Sequence, residues 1–329
     1  MTGVNPYRGE VRNVGNPIYL GVDLGGTSIK TGICDQEGKL IRTLESMTEA
    51  DQGTERVIAN IAASAKRIVD ESEFEWDQVQ GIGMGIPGFM DVEEGFMKLS
   101  PNLPLTNVPL KQLLEEKLGK SIFMGNDANV AALGEAWSGA GKGVPLMVMY
   151  TLGTGVGGGI IINGDILIGS SGMGGELGHM AVVPDLEAIQ CGCGKLGCLE
   201  TVSSATGIIR MAKDAVERGD RTMLADVVSI TAKDVFDAAR AGDETAIRIV
   251  NRAAFYLGKS LATIAVVINP NRFVIGGGVS KAGDLILNPV REVFKQFAQA
   301  KAQEDVEIVA ATLGNDAGMI GAAGLCIRK

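Results

Sequence analysis

The chain has 329 residues, of which 46% are hydrophobic, and a formal net charge of −9. This length allows a sizeable core divided between two lobes, and the negative charge argues against a nucleic-acid partner, whose phosphates require clustered Lys and Arg. The most apolar stretch, residues 260–267, is too short to span a membrane, and residues 1–17 lack an apolar signal core. We therefore expect a cytoplasmic protein that binds small molecules and has no membrane partner.

The predicted elements begin after an N-terminal extension at residues 1–17. Residues 18–41, "IYLGVDLGGTSIKTGICDQEGKLI", indicate a strand, a glycine turn, a second strand, a polar turn and a third strand. Residues 146–168, "LMVMYTLGTGVGGGIIINGDILI", repeat this order of strands and turns. The repeat predicts that the chain contains two related units.

Helical and strand patterns alternate through the rest of the chain. Residues 55–71 have apolar side chains at helical spacing, whereas residues 80–88 are typical of a short buried strand. The tetrapeptide GNDA occurs at 125–128 and 314–317, each time between a strand-like run and a helix rich in Ala and Gly. This organisation favours two α/β lobes that face each other across a cleft.

Three glycine-rich segments follow predicted strands: DLGGT at 23–27, TLGTGVGGG at 151–159 and VIGGGVS at 274–280. Their successive backbone N–H groups can bind phosphate, and the third segment is predicted to open a helix, a natural position for an anion. Each segment alone fits an ordinary turn, but the three together favour a nucleotide bound with Mg²⁺ beside Asp23. The candidate residues for the nucleotide are Asp23, Gly25, Gly26, Thr27, Lys30, Thr154, Gly155, Gly277 and Gly278.

The first GNDA segment has two interpretations. Asn126 and Asp127 are both common helix N-caps, which would be a purely structural use. Alternatively, Asp127 is a general base and Asn126 binds a substrate hydroxyl. Spacing alone does not choose between these interpretations, nor between this copy of GNDA and the one at 314–317.

Three cysteines, Cys191, Cys193 and Cys198, lie within the segment CGCGKLGC. Cytoplasmic thiols stay reduced, so this cluster predicts a metal site rather than disulfides. His179, the only histidine of the chain, supplies the missing fourth ligand of a Cys₃His zinc site. With four protein ligands the zinc would have no open position for water, which predicts a structural role. The other two cysteines, Cys34 and Cys326, are predicted to be small buried residues.

The predicted zinc site is flanked by two carboxylates in sequence. Glu176 precedes His179 by three residues, and Glu200 follows Cys198 by two. One metal ion would therefore fix two hydrogen-bond acceptors in place. Fixed acceptors of this kind suit a ligand with several hydroxyl groups, because a site built to bind hydroxyls rejects molecules that lack them.

The motifs DLGGT, GNDA, TLGTGVGGG, ELGH and CGCGKLGCLE occur in the order that is typical of the ROK family of sugar kinases and repressors. The chain resembles this family from about Ile18 to Leu325, and its bacterial glucokinases most closely. The resemblance implies an actin-like, ribonuclease H-like duplicated α/β fold of two lobes around a central cleft. It also implies a homodimer or a higher homo-oligomer. The implied division is an N-terminal lobe at 18–125, a C-terminal lobe at 126–311 and a helix at 312–329 that returns to the first lobe.

The resemblance also assigns roles to individual residues. It implies that Asp127 is the catalytic base and that the GNDA copy containing Asp316 is structural. The expected reaction is phosphorylation of glucose by ATP; the alternatives are another sugar, such as N-acetylmannosamine or fructose, a polyphosphate donor, or a sugar-responsive regulator without catalysis. The implied sugar contacts are Asn102, Asn126, Asp127, Glu176, His179 and Glu200, and the implied zinc ligands are His179, Cys191, Cys193 and Cys198.

Overall fold

The computed structural model describes residues 16–327, so nearly all of the predicted extension at 1–17 lies outside the described residues. The described part contains two five-stranded sheets and one short hairpin. In chain order the strands are β1 (Ile18–Leu24), β2 (Ser28–Cys34), β3 (Leu40–Met47), β4 (Val79–Ile86), β5 (Phe89–Asp91), β6 (Phe96–Leu99), β7 (Ile122–Asn126), β8 (Leu146–Leu152), β9 (Val156–Ile162), β10 (Asp165–Ile166), β11 (Arg272–Gly276) and β12 (Glu307–Ala310).

The two sheets have the same topology. The first has the strand order β3-β2-β1-β4-β7, and the second has the order β10-β9-β8-β11-β12. In each sheet the first three strands of the unit pair antiparallel, and the last two add in parallel. The duplication predicted from residues 18–41 and 146–168 is therefore confirmed at the level of strand order and direction.

Helices separate and cover the two sheets. The longest described helix has 25 residues, and no described helix is long and apolar enough to cross a membrane. In chain order the helices are α1 (Thr54–Asp70), α2 (Leu110–Leu118), α3 (Asp127–Ser138), α4 (Glu200–Ser203), α5 (Ala205–Glu217), α6 (Ala232–Arg240), α7 (Glu244–Ile268), α8 (Asp284–Phe297), α9 (Ala300–Gln303) and α10 (Ala317–Leu325).

The first sheet packs helices on both faces because its side chains alternate along each strand. In β1, Leu20 and Val22 are fully buried in a core that includes one face of α1. Gly21, between them, faces α10 so closely that a Cβ atom there would lie 1.8 Å from the Met319 carbonyl oxygen. Likewise, a Cβ atom on Gly83 of β4 would lie 1.7 Å from the Ala322 carbonyl oxygen of α10. The last helix thus lies directly on the backbone of the first sheet.

Helix α3 lies between α10 and the second sheet. A Cβ atom on Gly321 of α10 would be 1.7 Å from the Val130 carbonyl oxygen of α3, so the two helices touch at their backbones. On its other side α3 contributes Ala132 and Leu133 to a core with Met149 of β8. The larger core of the second lobe lies beyond this sheet, among α5 to α8. These two central helices place both GNDA segments between the sheets.

One predicted element differs from the structure. The glycine segment at 274–280 leads from β11 into a four-residue 3₁₀ turn, Val279–Ala282, and not directly into an α-helix. The turn ends at Gly283, whose φ of 63° is left-handed and suits glycine, and only then does α8 begin. In the described structure, residues 274–280 therefore do not form the expected anion-binding position at the start of a long helix.

Candidate active site

Two neighbouring cavities, of ≈ 380 and ≈ 430 Å³, lie in the cleft between the sheets. They share part of their walls, since Asp127, Ala128, Thr151 and Gly277 line both. The first cavity contains candidate nucleotide residues, and the second contains candidate sugar residues. Asp127 therefore lies at the junction of the two, where a group could be transferred from one cavity to the other.

Local backbone geometry explains why Asp127 lies at this junction. Strand β7 ends at Asn126 and α3 begins at the next residue. The Asn126 Oδ1 accepts hydrogen bonds from the backbone N–H groups of Ala128, at 3.0 Å, and Asn129, at 3.3 Å. Asn126 is therefore the helix N-cap, one of the two uses considered for this residue. Asp127 follows as the first helical residue and accepts from Ala128 N–H at 2.9 Å.

The carboxyl of Asp127 lies in an environment that favours its protonated form. Burial raises its pKa above the ordinary value of 3.8, although its hydrogen bond from the Ala128 backbone opposes this shift. The shift moves the carboxylate towards greater basicity. A raised pKa in a cleft between two cavities is typical of a functional carboxyl.

The nucleotide-side cavity contains charges from the first lobe. Asp23 and Lys30 are opposite each other on β1 and β2, and both line this cavity. Burial and the nearby Asp127 raise the pKa of Asp23, while Lys30 acts in the opposite direction. The other side of the cavity is formed by residues of the second lobe and the second GNDA segment: Gly277, Gly278, Ser280, Lys281, Gly314 and Asn315.

The sugar-side cavity contains Asn126, Glu176, His179 and Glu200. The Nε2 atom of His179 is 3.8 Å from the Glu176 carboxylate. Burial raises the pKa of Glu176, while His179 lowers it. This cavity thus offers both hydrogen-bond acceptors and donors, which suits a ligand with several hydroxyl groups.

Glu200 connects the second glycine segment to the cysteine cluster. Its Oε2 accepts a hydrogen bond from Val156 N–H at 2.9 Å, and its Oε1 lies 3.4 Å from the Cys191 Sγ. Gly155 leaves room for this carboxylate, since a Cβ atom at this position would lie 2.2 Å from the Glu200 Oε2. A side chain at 155 would force the carboxylate to shift.

The ligand atoms of His179, Cys191, Cys193 and Cys198 all lie within 4.8 Å of one another. The Cys193 and Cys198 sulfurs are 3.7 Å apart, as are the Cys191 Sγ and the His179 Nδ1. Tetrahedral zinc with Zn–S bonds of about 2.3 Å separates its ligand atoms by roughly 3.7 Å, so this donor set fits zinc. Because Nδ1 faces the cysteines, Nε2 is directed towards Glu176 and the sugar-side cavity.

The ROK family profile matches residues 19–329. The chain belongs to the ROK family. It is 46% identical to a glucokinase of Halalkalibacterium halodurans over 93% of this chain and 94% of that one. It is 38% identical to a glucokinase of Thermotoga maritima over 93% and 96% of the two chains. A ROK family glucokinase from Streptomyces griseus, solved with glucose and AMPPNP, superposes with a TM-score of 0.76 at 35% identity, over 94% and 98% of the chains.

Membership of the ROK family and the duplicated sheets confirm the predicted two-lobe, actin-like α/β fold. The structure brings together ten of the residues singled out by sequence within the two cavities. Five further predicted residues do not line either cavity in the described part of this ROK chain. The ten are Asp23, Lys30 and Gly278 on the nucleotide side, Asn126, Gly155, Glu176, His179 and Glu200 on the sugar side, and Asp127 and Gly277, which line both; the five are Gly25, Gly26, Thr27, Thr154 and Asn102.

The first glycine turn is held by its own lobe. The Gly25 N–H donates to the Ser28 carbonyl at 2.9 Å, and the Thr48 hydroxyl donates to the Gly25 carbonyl at 2.7 Å. A Cβ atom on Gly26 would lie 3.0 Å from the Asn102 carbonyl oxygen. The turn therefore packs against the segment that contains Asn102, and Pro101 beside it lines the sugar-side cavity.

Sequence reasoning missed several residues of the nucleotide-side wall, among them Thr151, Lys281 and Asn315. Thr151 belongs to the glycine-rich segment of the second unit, so its position after a predicted strand was an available signal. Asn315 belongs to the second GNDA segment, which the sequence identified without a ligand role. Lys281 carries no local pattern, because an isolated lysine after a turn is usually a solvated residue.

Proposed function

We propose that this ROK chain is a glucokinase that transfers the γ-phosphoryl group of ATP to glucose. The observation that carries the proposal is the position of Asp127, which lines both the nucleotide-side and the sugar-side cavity. The glucokinases of Halalkalibacterium halodurans and Thermotoga maritima support the substrate assignment, since they match nearly the whole chain. The glucose and AMPPNP bound to the Streptomyces griseus relative support the same pair of ligands.

In this proposal the sugar binds on the side of Glu176, His179 and Glu200. The Oδ1 of Asn126 already accepts two backbone hydrogen bonds, which fixes the side chain and leaves its Nδ2 to donate to a sugar hydroxyl. Glu176 and Glu200 accept from other hydroxyls. Fixed partners hold the reacting hydroxyl beside Asp127, and such positioning is a large part of phosphoryl-transfer catalysis.

Asp127 acts as the general base. The sugar hydroxyl oxygen bonds to the γ-phosphorus, its proton passes to the Asp127 carboxylate, and the bond from the γ-phosphorus to the bridging oxygen of ADP breaks. The raised pKa of Asp127 makes the carboxylate a better proton acceptor than an exposed aspartate. Asp23 and Lys30 line the nucleotide-side cavity and would hold ATP with its Mg²⁺, which would neutralise phosphate charge.

We assign His179, Cys191, Cys193 and Cys198 to one structural zinc ion. Four protein ligands complete a tetrahedral site, so the zinc supplies structural order and no open position for water. The Cys191 sulfur is close to Glu200, and His179 is a ligand that also lines the sugar-side cavity. Zinc bound by these four residues would therefore order His179 and Glu200, two of the groups assigned to sugar binding. A homodimer and a cytoplasmic location remain predictions that follow from family resemblance and composition.

A coupled assay of the purified chain tests the proposal. We expect MgATP-dependent phosphorylation of glucose, with N-acetylmannosamine and fructose as weaker substrates and polyphosphate as the alternative donor. A strong preference for one of the other sugars would change the substrate but retain the kinase assignment. The absence of a phosphorylated product with every sugar and both donors would reject the enzyme assignment and favour a sugar-responsive regulator.

A further inference from the structure

Glu135 is a fully buried carboxylate outside both cavities, near the C-terminal end of α3. Its Oε2 accepts hydrogen bonds from the Ala140 N–H at 2.7 Å and from the Thr312 hydroxyl at 3.2 Å. Its Oε1 accepts from the N–H groups of Thr312, at 3.0 Å, and Leu313, at 2.8 Å. One side chain thus satisfies four donors, three of which belong to the backbone.

These donors belong to the two segments by which the chain crosses between the lobes. Ala140 lies between α3 and β8, and residues 311–316 lie between β12 and α10. The Arg272 guanidinium also donates to the Ala140 carbonyl at 2.6 Å, so the first crossing is held from both sides. Gly139 leaves room for the carboxylate, since a Cβ atom there would lie 2.1 Å from the Glu135 Oε2.

The second crossing forms a wall of the nucleotide-side cavity. Ala311, Gly314 and Asn315 line that cavity, and the two residues held by Glu135, 312 and 313, lie between them. Asp127 and Ala131 of α3 line the same cavity. Residues 127, 131 and 135 are successive i, i+4 neighbours on one helix, so Glu135 continues the same stripe as Asp127.

We propose that Glu135 is a positioning residue for phosphoryl transfer. It fixes the nucleotide wall formed by Gly314 and Asn315 at a set distance from Asp127, because the helix that carries the base also carries the carboxylate that holds the wall. This role concerns the nucleotide side, since Glu176, His179 and Glu200 belong to segments that Glu135 does not contact through any of these hydrogen bonds. The inference rests on the proposed kinase function.

The test is Glu135→Gln, which retains the shape of the side chain. Both carboxylate oxygens accept from backbone N–H groups, so either orientation of the amide places its NH₂ group against another N–H donor. We expect the Kd for Mg-AMPPNP to rise roughly tenfold, equivalent to 1.4 kcal/mol, while the Kd for glucose alone changes by less than about twofold. The KM for ATP should rise in parallel, and kcat should fall.

A matched control separates positioning from general destabilisation. Ser260→Ala removes a buried hydrogen bond of 2.8 Å to the Tyr150 hydroxyl, and Ser260 lines neither cavity. It should lower the unfolding temperature without changing either ligand affinity well below that temperature. If Glu135→Gln behaves like Ser260→Ala, or weakens glucose and Mg-AMPPNP equally, the positioning role is rejected.

A milder variant decides the question if Glu135→Gln does not fold. Thr312→Val removes only the hydroxyl that bonds to Glu135 and retains the backbone N–H. It should weaken Mg-AMPPNP by about two- to fivefold, the effect of one modest hydrogen bond, and spare glucose; unchanged nucleotide affinity would overturn the proposal. Kinase activity of the wild type is a separate readout, so its absence would reject the proposed function and not the role of Glu135 in nucleotide binding.

Discussion

Residues 125–128 and 314–317 have the same sequence, GNDA, but different backbone conformations. In the first copy, β7 leads directly into α3, Asn126 is the N-cap and Asp127 is the first helical residue. In the second, residues 314–316 form a 3₁₀ turn, and Asp316 occupies the N-cap position of α10 without a capping hydrogen bond from its side chain. The helix thus starts one residue later relative to the motif.

Because of this one-residue difference, the two aspartates have different surroundings. Asp127 is half-buried and lines both cavities, whereas Asp316 is exposed and lines neither. In the second copy it is Gly314 and Asn315 that reach the nucleotide-side cavity. Identical residues therefore differ in position because the preceding backbone differs: a buried strand precedes the first copy, and an irregular crossing between the lobes precedes the second.

The largest expected effect is that of Asp127→Asn. The substitution retains side-chain volume but removes the basic carboxylate, so kcat for glucose phosphorylation should fall by roughly 10²–10⁴-fold, the usual contribution of a general base. Steady-state kinetics and a thermal melt of the same preparation measure the effect and check folding. Asp316→Asn is the matched control and should leave kcat nearly unchanged. Near-normal turnover in Asp127→Asn would remove this residue from the mechanism.

The pH dependence of the reaction tests the environment of the first copy. Burial raises the pKa of Asp127, so the active carboxylate is lost at a higher pH than for an ordinary aspartate of pKa 3.8. We expect kcat/KM for glucose to fall about tenfold per pH unit below the raised pKa. The same shift means that the contribution of Asp127 to stability decreases as pH rises from 3.8 through the raised pKa. An acid limb centred at or below 3.8 would contradict this assignment.

Loss of zinc should affect the sugar-side cavity, which only the first GNDA copy lines, more than the nucleotide-side cavity, which both copies line. Cys198→Ser removes one of four ligands, and it should abolish the bound zinc measured by elemental analysis. Because His179 and Glu200 line only the sugar-side cavity, the KM for glucose should rise at least about tenfold, a size typical of disturbed metal sites, while the KM for ATP changes less. A zinc-free wild type with full activity would reject the metal assignment.

The smallest expected effect distinguishes the two asparagines. Asn126→Ala removes two capping hydrogen bonds and should lower the free energy of unfolding by about 1 kcal/mol. Asn315→Ala removes no capping bond seen in the described structure, so its effect on stability should stay within about 0.5 kcal/mol. Denaturant unfolding of both variants measures the difference. Equal losses of stability would show that the two copies are capped alike in solution.

Much of the fold could be predicted from the chain because its signals are local. The strands of residues 18–41 and 146–168 were recognisable from alternating apolar residues and glycine turns, and their repetition predicted the duplicated topology. The Cys₃His cluster was equally local, since Cys191, Cys193 and Cys198 lie close together in sequence. The prediction of a helix directly after residues 274–280 was wrong, because a 3₁₀ turn ending at Gly283 precedes α8.

The sequence by itself determined the ligand chemistry: which carboxylates, thiolates and glycines were available, and that they are typical of a ROK sugar kinase. The family resemblance singled out Asp127 rather than Asp316, but only the tertiary structure showed that Asp127 lies between two cavities and that Lys281, Thr151 and Asn315 line one of them together. It also decided that Glu135 holds backbone groups 177 and 178 positions further along the chain. The physical reason is that sequence spacing indicates which residues are neighbours along one helix or strand. Contacts between the two segments that connect the lobes depend instead on how the two sheets pack against α3 and α10.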